Sequence, residues 1–303
     1  MQQTETHRKY KTLFAITAIV IAVLALSLGD AVIKATDLSL PLWQMYILRS
    51  AIALPILILI RAKRPPIKSG TLFWISIRSG LLVLMWLCYY SALPSMPLAL
   101  AAAVFYTAPI FITIFAAVHS RTSPPLRTWL AIFLGFFGVM LILRPAASEL
   151  QVKTLLPLFA AILYALAMML TAVKCRDDDP IFLSMAMNIA FIIGGGLLGL
   201  TSGTPGSFIF GPWAPLDLKL LSIIAVLAGG IVIGSVGAAV AYQNGPPATI
   251  AAFDYTYLVF SLIWGVIFFA TIPDRMPLIG IFIIMVSGLL ALPGSNKTEQ
   301  ASL

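Results

Sequence analysis

AAAVFYTAPIFITIFA, residues 101–116, returns in altered form as IAAFDYTYLVFSLIWG, residues 250–265. At one constant offset Tyr106-Thr107 falls on Tyr255-Thr256 and Phe111 on Phe260, while Phe105 is answered by Asp254. Each copy follows a short Pro-containing turn. Each is followed by a Gly-spaced final run, GFFGVMLILRP at 135–145 and VSGLLALPG at 286–294. Fainter matches lie upstream, Lys34 with Lys174 and Met45 with Met185. Self-similarity at this distance bears on the architecture before any single motif does. It divides the chain into two units, about 12–145 and 153–293, with tails at 1–11 and 294–303.

Both units are apolar. The 303 residues are 60% hydrophobic and 10% charged, with a mean hydropathy of +1.01. Soluble domains carry about 25% charged residues, so the expected class is an all-α integral membrane protein. A bilayer-crossing helix needs about 20 mostly apolar residues. Ten runs meet that need, near 12–36, 40–60, 71–92, 97–118, 127–145, 153–173, 181–201, 217–242, 247–270 and 276–293. None shows the period-two alternation of barrel strands. Five spans per unit is an odd number, so the second unit enters the membrane from the opposite side. The expected plan is two inverted five-helix repeats around a central cavity, as in many secondary transporters.

The net charge of +8 reads as topology, not as nucleic-acid binding. With the N-terminus inside, twelve Lys and Arg fall on that side and four opposite, a bias that puts both termini in the cytoplasm. The first run lacks a small-residue cleavage site after it and reads as a retained span. Cys88 and Cys175 suggest neither a disulfide framework nor a metal site. No phosphate loop, HExxH or GxSxG is present, and the two histidines, His7 and His119, lie at span edges. Neither an enzyme, a cofactor nor a metal is expected.

YTAPIF after an Ala-rich turn, WLAIFLGFFGVMLILRP and IWGVIFFATIPDRMPLIGIFIIMVSGLL together resemble the EamA family of the drug/metabolite transporter superfamily, over essentially the whole chain. The resemblance implies a multi-pass protein of the bacterial inner membrane, monomer or homodimer. It implies export of amino acids or similar small metabolites, with the aromatic-amino-acid exporters as the nearest type. LGDAVIK and LPLWQMYILRS also look like uptake carriers for S-adenosylmethionine and related solutes. The chain departs from the family in lacking Glu in HSRTSPP and ATIPD, and in having Leu258 where the second repeat often has Pro.

Polar groups within a bilayer are costly and tend to face a cavity or one another. Trp43, Tyr46, Arg49 and Ser50 share one helical stripe. Arg49 reads either as a bidentate carboxylate site or as an ion-pair partner of Asp30 across neighbouring spans. Asp30 is then a coupling or gating candidate. Arg78 is a cavity candidate or snorkels to the inner surface. Asp254, beside Tyr255 and Tyr257, either binds a proton that couples to export or ties helices together. Asn188, Trp86, Tyr89, Tyr106, Tyr164 and Tyr242 complete the cavity candidates, with an interface-belt role as the alternative for Tyr89 and Tyr90. Pro109 removes a backbone hydrogen bond and marks the fourth span as cavity-lining or moving. Gly135/Gly138 and Gly194-Gly195-Gly196/Gly199 are expected to let helices pack closely.

Overall fold

A computed structural model describes residues 2–35, 40–62, 71–96, 98–145, 152–201, 203, 207–270 and 274–292. The expected C-terminal tail, 294–303, lies outside them. Twelve α-helices make up the described chain: α1 (Gln2–Ala35), α2 (Leu42–Arg61), α3 (Leu72–Ala92), α4 (Leu98–Phe105), α5 (Ala108–Ser120), α6 (Leu126–Leu143), α7 (Leu155–Val173), α8 (Pro180–Gly199), α9 (Leu218–Asn244), α10 (Pro247–Asp254), α11 (Thr256–Phe269) and α12 (Arg275–Ala291). Among the described residues nine stretches are long and apolar enough to cross a membrane, with α4–α5 and α10–α11 each forming one of them. The tenth, α12, has 17 residues. At 1.5 Å per residue it is about one turn short of a hydrocarbon core of about 30 Å. The protein is a multi-pass membrane protein, and its large exposed side chains such as Leu59, Phe73, Phe133 and Phe282 are those a lipid-facing surface needs.

The two broken spans repay attention because both break at the repeated Tyr-Thr pair. Between α4 and α5, Tyr106 still donates its N–H to the Ala102 carbonyl, but the Thr107 N–H reaches only to Val104. Pro109, near the start of α5, has no N–H to give. Between α10 and α11 the chain has no proline, yet Leu258 N bonds Tyr255 O only three residues back. The threonines act alike. Thr107 Oγ1 donates to Val104 O at 2.6 Å and Thr256 Oγ1 to Phe253 O at 2.7 Å. Such back-bonding competes with the helical ladder and bends it.

Helices α1 and α9, α2 and α8, α3 and α7, and α6 and α12 pack as pairs. The α6–α12 crossing rests on glycine: a Cβ at Gly138 would lie 2.9 Å from the Gly280 carbonyl oxygen, and one at Gly280 would lie 2.7 Å from that of Gly138. Without side chains there, the two backbones touch. On the other pairs, Gly195 meets the Trp43 carbonyl and Gly194 meets Val83, whereas Gly196 faces open space. Asp179 and Asp217 cap α8 and α9 by accepting from Ile181 N and Leu220 N, which satisfies a free N–H at each helix start.

Candidate functional site

Inside the helix bundle lie three polar centres, two of them joined by aromatic rings. The first is Asp30, near the end of α1. Its carboxylate accepts a hydrogen bond from Tyr257 Oη on α11. Trp264 Nε1 of α11 also donates to Ser27 Oγ of α1 at 3.1 Å, so α11 is fastened to α1 at two levels. Asp30 is exposed, and Tyr89, Tyr90, Tyr164 and Tyr257 are half-buried.

The second centre is Arg49, on α2. It is buried, and its Nε and Nη2 have no hydrogen-bond partner. The guanidinium lies 5.0 Å from the Phe191 ring and 6.0 Å from the Tyr46 ring, contacts that recover part of the cost of burial. Tyr46 Oη, Ser50 Oγ and Asn188 Oδ1 are also buried without partners. Phe191 stands one turn beyond Asn188 on the same face of α8. It drew no notice in the sequence because it is apolar; the spacing from Asn188 is the signal that would have found it.

An Asp30–Arg49 ion pair, one of the two expectations for Arg49, is not formed. Among the described residues neither makes a salt bridge, and Asp30 takes Tyr257 instead. The reason is packing: Arg49 turns toward α8 and its Phe191 ring, while α11, not α2, brings a donor to Asp30.

The third centre is Asp254, the last residue of α10, only 7% exposed. Its Oδ2 accepts from Tyr242 Oη of α9 at 2.7 Å and from Tyr164 Oη of α7 at 3.4 Å. Its Oδ1 has no partner. Rings run from this centre to the first. Tyr164 contacts Phe105 at 5.8 Å, Phe105 contacts Tyr106 at 6.1 Å, and Tyr106 contacts Tyr257 at 6.1 Å. A branch leads from Phe105 through Tyr89 to Tyr90, which stacks on Trp86. Phe208, from the connection before α9, closes over Tyr90 at 6.1 Å. A loop residue at that separation carries no periodic signal in the sequence.

Two other candidates lie elsewhere. Trp43 points to the 207–217 connection, where its Nε1 donates to Gly211 O at 2.9 Å and its ring meets Trp213. Arg78 does not snorkel to a surface. It is 1% exposed, with Nε donating to Thr171 Oγ1 at 2.6 Å and Nη1 to Leu183 O at 3.4 Å. Its neighbours α7 and α8 supply those acceptors within the bundle, so the side chain ends there. Beside it, just past α7, burial pushes the Cys175 thiol up to about 11, which leaves it a poor nucleophile and metal ligand. Among the described residues no group of His, Cys, Asp and Glu is arranged to hold a metal.

The arrangement offers one unpaired cation, two carboxyls and a belt of rings inside a membrane-spanning bundle, the features of a solute path. The model of the EamA-like transporter family matches residues 13–144. An uncharacterized transporter of Helicobacter pylori is 27% identical over 299 residues, covering 94% of this chain and 97% of its own. A pseudopaline exporter of Pseudomonas aeruginosa is 23% identical over 93% of this chain and 97% of its own. A riboflavin transporter of Brucella anthropi is 27% identical over 60% of this chain and 63% of its own. A protein known by its crystal structure superposes with a TM-score of 0.77 at 19% identity, over 94% of this chain and 98% of that one, so the fold is shared. The family model matches the first half of the chain, and relatives along nearly the full length are transporters, so the chain is similar to the EamA-like transporters of the drug/metabolite transporter superfamily and shares a fold with a protein of known structure.

Proposed function

We propose that the protein exports amino acids, or similar small zwitterions with an apolar or aromatic body, across the bacterial inner membrane by alternating access. The observation that carries this reading is Arg49: a buried guanidinium with two unpartnered nitrogens, set against the Tyr46 and Phe191 rings. A fork of free donors fits a carboxylate bidentately. The ring belt suits the body of the solute, and Asp30 suits its ammonium group. Both termini are taken as cytoplasmic from the Lys and Arg bias.

Alternating access follows from two inverted five-helix halves. Several features support that plan. Exchanging the halves turns the α1–α9 pair into α7–α3 and the α1–α11 contact into α7–α5, and returns α2–α8 and α6–α12 to themselves. The aligned Tyr-Thr pairs are the two break points. Half-helices and breaks at corresponding places are where transporters of this plan hold substrate.

Efflux from proteoliposomes loaded with labelled phenylalanine, tyrosine, tryptophan, leucine or glutamate tests the reading. The expected result is selective efflux with wild-type protein, strongly reduced by Arg49→Ala. Rates equal to those of empty vesicles across the panel would overturn it.

A further inference from the structure

We infer that Asp254 is the proton-binding site through which a pH gradient drives the transport cycle, a step that rests on the transporter reading above. Its unused oxygen, Oδ1, is buried and has no partner, while Oδ2 already holds two tyrosine hydroxyls. A carboxylate inside a bilayer with no counter-charge must bind a cation or meet one in the cycle. Elements α1, α5, α6, α7, α9 and α12 pack against α10. Of these, α7 and α9 present titratable groups to the carboxyl, Tyr164 and Tyr242, with Tyr106 and Tyr255 at the two breaks further off. Among the described residues no Lys, Arg or His pairs with it. Asp254 also closes α10, so its negative charge lies at the negative end of a helix dipole. A bound proton removes both problems at once.

The oxygen count selects the proton over a metal cation. Calcium or magnesium needs about six oxygen ligands, and this site offers one carboxyl and two phenol groups. The proton enters from water on one side, bonds to Oδ1, and leaves to water on the other side when the protein opens there, in exchange for one exported solute.

A path from solute to proton site is present. Phe105 occupies in the first copy the position of Asp254 in the second, and its ring rests on Tyr164, the donor to Asp254. Tyr89, in the ring belt, contacts the other side of Phe105. A solute that moves these rings moves a hydrogen bond to the carboxyl.

Infrared difference spectra of the detergent-solubilised full chain, recorded across pH, test proton binding without any solute. A carboxyl C=O band that fades as pH rises, is lost in Asp254→Asn and is kept in Asp254→Glu is the expected result. A spectrum in which Asp254→Asn removes no titrating band would overturn the inference. In proteoliposomes, an imposed pH gradient should speed efflux of whichever labelled amino acid of the panel the wild type moves. In Asp254→Asn the acceleration by the gradient, taken as the ratio of efflux with the gradient to efflux without it, should fall at least tenfold. Equal acceleration in wild type and variant would also overturn it. If no amino acid moves at all, the substrate reading fails, and the infrared band alone decides whether Asp254 binds a proton.

Discussion

Tyr106 and Tyr255 stand ring against ring with centroids 6.2 Å apart, each at the point where its own span is broken. The contact joins the two copies of the repeated segment at one place. Tyr255 is also wedged from behind: its hydroxyl donates to Ile132 O at 3.3 Å, and a Cβ at Gly135 would lie 2.4 Å from its ring. A movement of either break is therefore felt by the other, and α6 forms the wall they press on.

Gly135→Ala forces the Tyr255 ring off that wall. Overpacking of this kind costs about 1–3 kcal/mol, and here the strain falls on the break. The expected outcome is a lower melting temperature together with a reduced transport rate. Gly196→Ala, whose Cβ meets nothing within 4 Å, serves as the matched control and should change neither. Thermal melts of the two variants in detergent check the contrast.

Arg49→Ala removes a buried charge that no protein group neutralises. Stability should hold or rise, because the desolvated charge is itself a cost. Solute affinity should fall, since charged hydrogen bonds contribute about 1.5–3 kcal/mol, or about one to two orders of magnitude in binding. Arg49→Lys should not restore it, because an ammonium lacks the planar fork. Binding titrations of the purified variants with the transported amino acid measure both effects.

Arg78 poses the opposite case. It is buried and bonded to Thr171 and Leu183, so its role is to hold α3 against α7 and α8. Thr171→Val leaves the Arg78 Nε without its acceptor and should destabilise the fold by about 1–3 kcal/mol. Solute selectivity should remain that of the wild type. A variant that melts normally but changes its preferred solute would place Arg78 on the solute path instead.

The outcome for these residues marks how far the sequence could be read. Span positions are legible because a bilayer demands about 20 apolar residues, and the helices fall within a few residues of the runs. The first run is the exception, since α1 begins at Gln2, well before residue 12. The repeated Tyr-Thr pair is legible as a repeat. Only Pro109 announces a break, however, and the second break, at Tyr255, has no such residue. Partner choice across spans is least legible. Asp30 and Arg49 lie at loosely similar depth on neighbouring spans, yet Tyr257, from a span 227 positions away, takes the Asp30 carboxylate. Depth along a helix says nothing of rotation about its axis, which is set by packing such as the α6–α12 glycine contact.

The two breaks make a final prediction about what sustains them. The second copy has Leu258 at the place of Pro109 and is still broken, with the Thr256 hydroxyl on the Phe253 carbonyl. Proline is therefore not required where the threonine is present. Pro109→Leu should keep the α4–α5 break and retain most transport. Thr107→Val alone deletes the matching bond to Val104, but Pro109 still withholds an N–H from the ladder. Only the double variant, Thr107→Val with Pro109→Leu, lets the fourth span close into a continuous helix. It gains backbone hydrogen bonds worth about 0.5–1.5 kcal/mol each and should melt at a higher temperature than wild type. Transport should be lost, because Tyr106 then leaves Tyr255 and the two breaks no longer move together. Melting and efflux measured on all three variants separate the cases. A double variant that is stabilised and still transports at the wild-type rate would show that the break at Tyr106 has no part in the cycle.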